Sequence, residues 1–178
     1  MPPITVVFVV SGLAVWAIGL SFLGIGATPS GEVDAPNPMV TVGWITLVAG
    51  VVDLVQAAYI IISRPAGPDP SVVLAGIIMF YAAIFTLLGI ALVAGLDLRP
   101  VANVSVAVAI APLFWWKFFN GSWMFHSILI VWLVAFLATT ATIYGKLPGK
   151  ALGAILTATA VYTFLTPAII LALGHSIP

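Results

Sequence analysis

The chain has 178 residues, of which 63% are hydrophobic and only 6% carry a charge. Five basic and five acidic side chains cannot cover the surface of a water-soluble domain of this length, so the composition excludes a soluble globular protein and predicts one surrounded by membrane lipid. The formal net charge is zero, no cysteine occurs and no basic run is present, which argues against a nucleic-acid partner, disulfides and thiolate metal sites.

Six apolar stretches follow one another along the chain, separated by short segments rich in Gly, Pro, Asn, Asp and Ser. Because a bilayer core is crossed by about 20 mainly apolar residues of helix, each stretch is long enough to span it once. The sequence therefore predicts an all-α integral membrane protein, a six-transmembrane-helix bundle that forms a single domain over residues 1–178. The predicted spans are Ile4–Gly26, Met39–Ser63, Val72–Gly95, Val101–Phe118, Trp123–Tyr144 and Ala151–Gly174.

The distribution of Lys and Arg predicts the orientation of these spans. The first, third and fifth loops share one side of the membrane and carry Arg99, Lys146 and Lys150, whereas the other side carries Arg64 and Lys117. Since loops rich in basic residues favour the cytoplasm, both termini are predicted to lie outside.

An ionisable residue inside a span is costly and suggests a functional site. Asp53 lies near the middle of the second span, with Gln56 three residues later on the same helical face. One interpretation is a proton or solute site that faces a cavity. The other is a buried polar contact that fixes a neighbouring helix.

Aromatic and hydroxyl side chains recur at helical spacing in the last two spans. Together they would form a slot that is aromatic at one level and lined by hydroxyls at the next, which suits a small, neutral, planar solute. Each row taken alone is more typical of ordinary packing, since threonine in a helix often bonds its own backbone and an aromatic stripe usually packs against a neighbour. The residues are Trp132, Phe136, Thr139 and Thr140 in the fifth span and Thr159, Thr163 and Thr166 in the sixth.

Two prolines lie inside spans, Pro112 in the fourth and Pro167 in the sixth. Each removes a backbone hydrogen bond and is expected to kink its helix. The freed carbonyls near Val108 and Thr163 would face either a solute or a neighbouring helix.

The sequence shows no pattern typical of an enzyme, a cofactor site or a metal site. His126 and His175 stand alone without metal-ligand spacing, and no nucleophile triad, phosphate loop or paired carboxylate occurs. We therefore expect no catalytic residue, no cofactor and no metal.

Several segments resemble the urea/amide channel family of bacterial membrane proteins. The third loop, Gly95-Leu96-Asp97-Leu98-Arg99-Pro100, is the most specific of them. Four further segments agree in order along the last four spans: Tyr81-Ala82-Ala83-Ile84, Trp132-Leu133-Val134-Ala135-Phe136, Leu147-Pro148-Gly149-Lys150 and Thr166-Pro167-Ala168.

The resemblance implies a passive channel for urea or short-chain aliphatic amides in the bacterial cytoplasmic (inner) membrane, assembled from six identical copies. It also implies a set of pore residues. A family glutamate falls on Thr159, a family asparagine on Ile18 and one of two pore tryptophans on Ile128. The pore positions implied by the resemblance are Trp132, Ile128, Phe136, Tyr81, Ile4, Phe8, Ser11 and Val15, and the threonine row of the sixth span adds Thr159 and Thr163.

Two other functions remain open from the sequence. One is a proton-coupled secondary transporter of a small polar solute that uses Asp53, and the other is a membrane scaffold that transports nothing. Within the channel interpretation, the predicted outer loops Arg64–Ser71 and Asn120–Ser122 are short and lack histidine. The sequence therefore predicts a channel that is open at neutral pH and not gated by acid.

Overall fold

The helices follow the apolar stretches because a chain in lipid must satisfy its backbone N–H and C=O groups within each spanning segment. The computed structural model describes residues 3–26 and 37–178, and within these ranges it has six helices long and apolar enough to cross a membrane and no β-strand. The predicted fold class is confirmed. The helices are α1 (Ile4–Leu23), α2 (Pro38–Ser63), α3 (Pro68–Ala94), α4 (Arg99–Phe119), α5 (Trp123–Ile143) and α6 (Gly149–Ala172).

The start of the third helix differs most from its predicted position. The helix begins at Pro68 and not at Val72, because Pro68 and Pro70 form its first turn and do not precede it. A proline fits there since the first helical N–H groups need no partner within the helix. At the end of α1, Gly24 adopts a φ of +82° and stops the helix before the predicted Gly26.

Both helices with an internal proline depart from regular α geometry. α4 continues from Ile110 into a 3-10 helix over Ala111–Phe119, with Pro112 in its first turn. α6 contains a π-helical segment, Ala160–Leu165, which ends two residues before Pro167. At its C-terminal end the Thr166 N–H bonds the Val161 carbonyl five residues back, so the turn is wider than an α turn.

The six helices form a closed ring in which α6 packs against α1. α2 lies between α1 and α3 in this ring and packs on both of them. We call end A the end where α1 begins, which carries the loops 64–67 and 120–122. End B carries the loops 95–98 and 144–148. Glu32 and Asp34, in the predicted first loop, lie outside the described residues.

The α2–α3 contact is unusually close. A Cβ atom on Gly50 would lie 2.5 Å from the backbone nitrogen of Thr86, and one on Gly89 would lie 2.6 Å from the Cα of Leu47. Real Cβ atoms do not approach other atoms that closely, so only glycine fits at either position. Small residues let helices in lipid gain packing contacts along their backbones.

The outward faces of the helices are apolar. Val48 on α2, Phe114 on α4 and Ile169 on α6 are 57%, 83% and 60% exposed. Such a surface is stable against lipid chains and not against water. Together with the six spans, it makes the chain a multi-pass membrane protein.

Candidate solute pathway

Two cavities lie inside the ring, one toward each end. The end-B cavity measures about 80 Å³, is lined by residues from all six helices, and has almost entirely apolar walls. The end-A cavity measures about 30 Å³ and is also apolar. Because roughly 10–15 Å³ holds one water molecule, the larger cavity has room for a small molecule of several heavy atoms. Trp132 and Phe164 line both cavities, so the two meet at these side chains.

Four aromatic side chains separate the cavities, and we call them the aromatic barrier: Tyr81, Trp132, Phe136 and Phe164. The Trp132 ring lies 4.3 Å from that of Tyr81, edge to face, and 5.2 Å from that of Phe164, nearly parallel. Tyr81 also stacks on Phe136 at 5.8 Å. Tilted and offset rings at these separations attract one another, so the barrier is held by its own contacts.

A hydrogen-bonded chain fixes the indole of Trp132. Its Nε1–H donates to Thr163 Oγ1 at 2.8 Å, and that hydroxyl donates to the Thr159 carbonyl oxygen at 2.8 Å. The Tyr81 hydroxyl, by contrast, is buried and has no hydrogen-bond partner among the described residues. An unpaired buried hydroxyl costs free energy, which a polar solute at the barrier would recover.

Few polar atoms line the end-B cavity. The Ser105 and Thr139 hydroxyls donate to the carbonyls of Val101 and Ala135 in their own helices, so each keeps an oxygen able to accept a hydrogen bond. The Thr159 hydroxyl makes no hydrogen bond within the described part of the chain and lines the same cavity. The cavity thus offers acceptors for N–H groups inside walls that repel ions.

The structure brings together most of the side chains that the sequence suggested for a pore. The end-A cavity is lined by Ile4, Phe8, Ser11 and Tyr81, and the end-B cavity by Val15, Ile18, Phe136, Thr139 and Thr159. Trp132 borders both. Four of the predicted residues line neither cavity, since the Thr140 hydroxyl bonds the carbonyls of Ala102 and Phe136 and the Thr166 hydroxyl bonds that of Val161. Ile128 is fully buried elsewhere, and Thr163 lies behind Trp132.

Sequence reasoning missed Phe164. In a regular α-helix, positions 159 and 164 point in different directions, so the threonine row gave no reason to include it. The π-helical segment widens the turn, and Thr159 and Phe164, five residues apart, both line the end-B cavity. Only Pro167 hinted that α6 is irregular in this region.

Asp53 and Gln56 lie between α1 and α2, outside both cavities. Asp53 is fully buried, and its Oδ2 accepts a hydrogen bond from Ser11 Oγ at 2.6 Å. Gln56 Nε2 donates to the Pro3 carbonyl oxygen at 2.9 Å. Of the two interpretations that the sequence left open, this geometry agrees with a polar contact that fixes a neighbouring helix. Ser11 separates the carboxyl from the end-A cavity.

Around the loop 120–122, aromatic groups are held by backbone carbonyls. Trp115 Nε1 donates to the Val73 carbonyl at 2.7 Å. His126 stacks flat on Trp116 at 4.1 Å, with its Nε2 3.0 Å from the Trp116 carbonyl oxygen. Among the described residues no group of three His, Asp or Glu side chains could hold a metal ion.

At end B, the loop 95–98 places a charged pair beside the cavity. Leu98 lines the cavity, and the flanking Asp97 and Arg99 form an exposed ion pair with each other. Hydrogen bonds from the Arg99 side chain lower the pKa of the Asp97 carboxyl below its ordinary value. The pair therefore stays ionised and neutral as a whole, and gives this entrance no net charge to attract ions.

The fold is similar to two solved structures of one protein. The chain superposes on the cryo-EM structure of the Helicobacter pylori urea channel in its closed state with a TM-score of 0.76 and 19% identity, covering 99% of this chain and 100% of that one. The match to the crystal structure of the Helicobacter pylori urea channel has a TM-score of 0.69 and 18% identity over 92% and 97% of the chains. The chain therefore has the fold of this channel. No protein-family model and no curated protein matches the sequence.

Proposed function

We propose that the protein is a passive channel for urea or a short-chain aliphatic amide in the cytoplasmic membrane of a bacterium. The observation that carries this proposal is the pair of cavities that lie in line through the ring and meet at the aromatic barrier. The fold shared with proteins named as urea channels supports it. Assembly into a ring of six stays a prediction of the family resemblance.

The walls favour a small neutral solute. A bare ion would lose its hydration in cavities with almost no polar atoms, whereas burying an amide without hydrogen bonds costs only about 2–7 kcal/mol per polar group. Acceptors at Ser105, Thr139 and Thr159 reduce that cost for N–H groups. The flat rings at Trp132 and Phe164 suit a planar molecule.

Nothing in the described geometry favours the two alternatives. A transporter driven by protons through Asp53 would need that carboxyl on the solute pathway, and it lies behind Ser11. A scaffold would have no need for two cavities that meet at mid-depth. Measurements of solute flux distinguish both alternatives from a passive channel.

The deciding measurement is solute flux into proteoliposomes, followed by light scattering after mixing with urea or acetamide. We expect flux well above that of empty liposomes and independent of an imposed proton gradient. Flux that requires the gradient would indicate the coupled transporter. Flux equal to that of empty liposomes for every small amide would indicate the scaffold.

The free hydroxyl of Thr159 is expected to contribute to the flux. Thr159→Val keeps the shape of the side chain and removes the hydroxyl. A hydrogen bond to the solute worth about 1.4 kcal/mol would then be lost at the energy barrier to permeation, and urea flux would fall roughly tenfold. The matched control is Thr157→Val, since the Thr157 hydroxyl bonds only the Gly153 carbonyl of its own helix. Equal flux in both variants and the native chain would assign Thr159 to packing.

Flux is expected to depend little on pH. Asp53 lies outside both cavities, and His126 is held against Trp116 away from them. We expect amide flux to vary by less than about threefold between about pH 5 and 7.5, because a gate of even 1.4 kcal/mol would give roughly tenfold. Asp53→Asn, which keeps an oxygen for Ser11, should have the same profile. Steep acid activation in both proteins would contradict this expectation.

We propose that end B faces the cytoplasm, on the basis of Arg99, Lys146 and Lys150. The chain has no natural cysteine, so a single cysteine at Lys146 gives a clean label. An impermeant thiol reagent should modify it in inverted membrane vesicles and not in intact cells. A cysteine at Lys117, near end A, should behave in the opposite way. The reverse labelling pattern would show that end A, and not end B, faces the cytoplasm.

A further inference from the structure

Trp132 is the only side chain of the aromatic barrier that is both stacked and hydrogen-bonded in the described part of the chain. Its ring is nearly parallel to that of Phe164, and its Nε1–H donates to Thr163 Oγ1. Thr163 and Phe164 are adjacent residues of the same π-helical segment. One short piece of α6 thus contacts the indole in two different ways.

The wide turn makes this double contact possible. In an α-helix, adjacent side chains diverge by about 100°, so Thr163 and Phe164 would not readily reach one partner. With a hydrogen bond spanning five residues, the segment turns each side chain less from its neighbour. Thr163 then lies behind the indole while Phe164 stays in the pathway and lines both cavities.

Thr163 is itself held in place. Its hydroxyl proton is used in the bond to the Thr159 carbonyl, so its lone pairs are turned toward Trp132. Thr163 is fully buried and lines neither of the two cavities. The indole N–H therefore loses its partner if the ring rotates, which favours the present orientation.

From this geometry we propose that Thr163 is a positioning residue that sets the selectivity of the channel by fixing the orientation of the Trp132 ring. The proposal rests on the proposed channel function for its transport consequence. Its structural part, the hydrogen bond, does not depend on transport. Phe164 forms the opposite face of the slot, so the orientation of the indole decides how wide a solute passes.

The test compares Thr163→Val, which keeps the shape and removes the acceptor, with Thr163→Ser, which keeps the hydroxyl. We expect Thr163→Val to reduce discrimination between urea and butyramide about fivefold, and Thr163→Ser to stay within twofold of the native chain. Thr166→Val is the matched control on the same helix, because the Thr166 hydroxyl bonds only the Val161 carbonyl. Thr166→Val should leave the discrimination unchanged.

A double-variant comparison separates positioning from general loosening of the helix. Phenylalanine has no N–H, so Thr163→Val should have no further effect in a Trp132→Phe background. An equal effect in both backgrounds would overturn the proposal.

A spectroscopic arm is independent of transport. Subtracting the spectrum of Trp132→Phe from that of the native chain isolates the ultraviolet resonance Raman band of the Trp132 indole, which reports the hydrogen bond of its N–H. This band should shift in Thr163→Val and not in Thr163→Ser. If the band shifts in Thr163→Val but neither the native chain nor any variant transports solute, the proposed function fails and the hydrogen bond is still supported. If the band does not shift, the positioning proposal fails whatever the flux.

Discussion

Trp132→Ala is expected to raise the permeability to butyramide at least about tenfold relative to urea. Trp132 borders both cavities, and removing its indole would join them into one wider passage. A closely packed apolar site discriminates one methylene by about 1–3 kcal/mol, so opening the slot should release roughly that much steric penalty for a longer amide. A tenfold change corresponds to about 1.4 kcal/mol. Flux of both solutes is measured in proteoliposomes.

Trp132→Ala is also expected to lower the stability of the fold, so a control must separate loss of stability from loss of selectivity. Truncating a buried aromatic side chain costs about 3–5 kcal/mol. Trp115→Ala is the matched control, because Trp115 packs on Phe80 and bonds the Val73 carbonyl without lining either cavity. It should lower stability and leave the ratio of the two fluxes unchanged. An unchanged ratio in folded Trp132→Ala would place the selective level elsewhere.

Gly89→Ala is expected to disrupt the α2–α3 contact. The added Cβ would lie 2.6 Å from the Cα of Leu47, and backbone atoms within two packed helices cannot move aside as a side chain can. Inserting a methyl group into a packed contact costs about 1–3 kcal/mol when neighbours relax and more when they do not. We expect a loss of about 3 kcal/mol in the free energy of unfolding, measured by thermal melting in mild detergent.

Gly76→Ala gives the same chemical change on the same helix. A Cβ there meets only the ring edge of Trp115 at 3.3 Å, which can shift by a few tenths of an ångström. Alanine is also favoured over glycine inside a helix by about 1 kcal/mol. Gly76→Ala should therefore melt within a few degrees of the native chain. Similar melting of the two variants would mean that the helices separate easily at Gly89.

The sequence alone predicted the six spans and their approximate limits. Long apolar stretches have one solution in lipid, a helix that satisfies its own backbone, so composition and length are sufficient. Pattern and family resemblance also predicted that Trp132, Phe136, Tyr81 and Thr159 lie near one another. Helical spacing gave the face of α5, and the resemblance supplied the side chains on α1 and α3.

Local chemistry that the sequence left open was decided by partners distant along the chain. Whether Asp53 faces a cavity or a neighbouring helix depends on Ser11, 42 residues away. Whether the Trp132 N–H is free for a solute depends on Thr163, 31 residues away. Neither separation follows a helical period, because each contact is set by how two helices rotate about their own axes when they pack.

Phe164 shows what only the tertiary structure decided about the pathway. Predicting a helical face from residue spacing assumes regular α turns. In the π-helical segment Ala160–Leu165 the backbone hydrogen bond spans five residues and not four, so that spacing no longer applies. The ring then turns into the passage, where it stacks on Trp132 and closes the slot. The apolar pattern determined that α6 is a membrane helix. The packing of α6 against α1 and α5 determined which of its side chains face the passage, since a helix in lipid can rotate until its close contacts are satisfied.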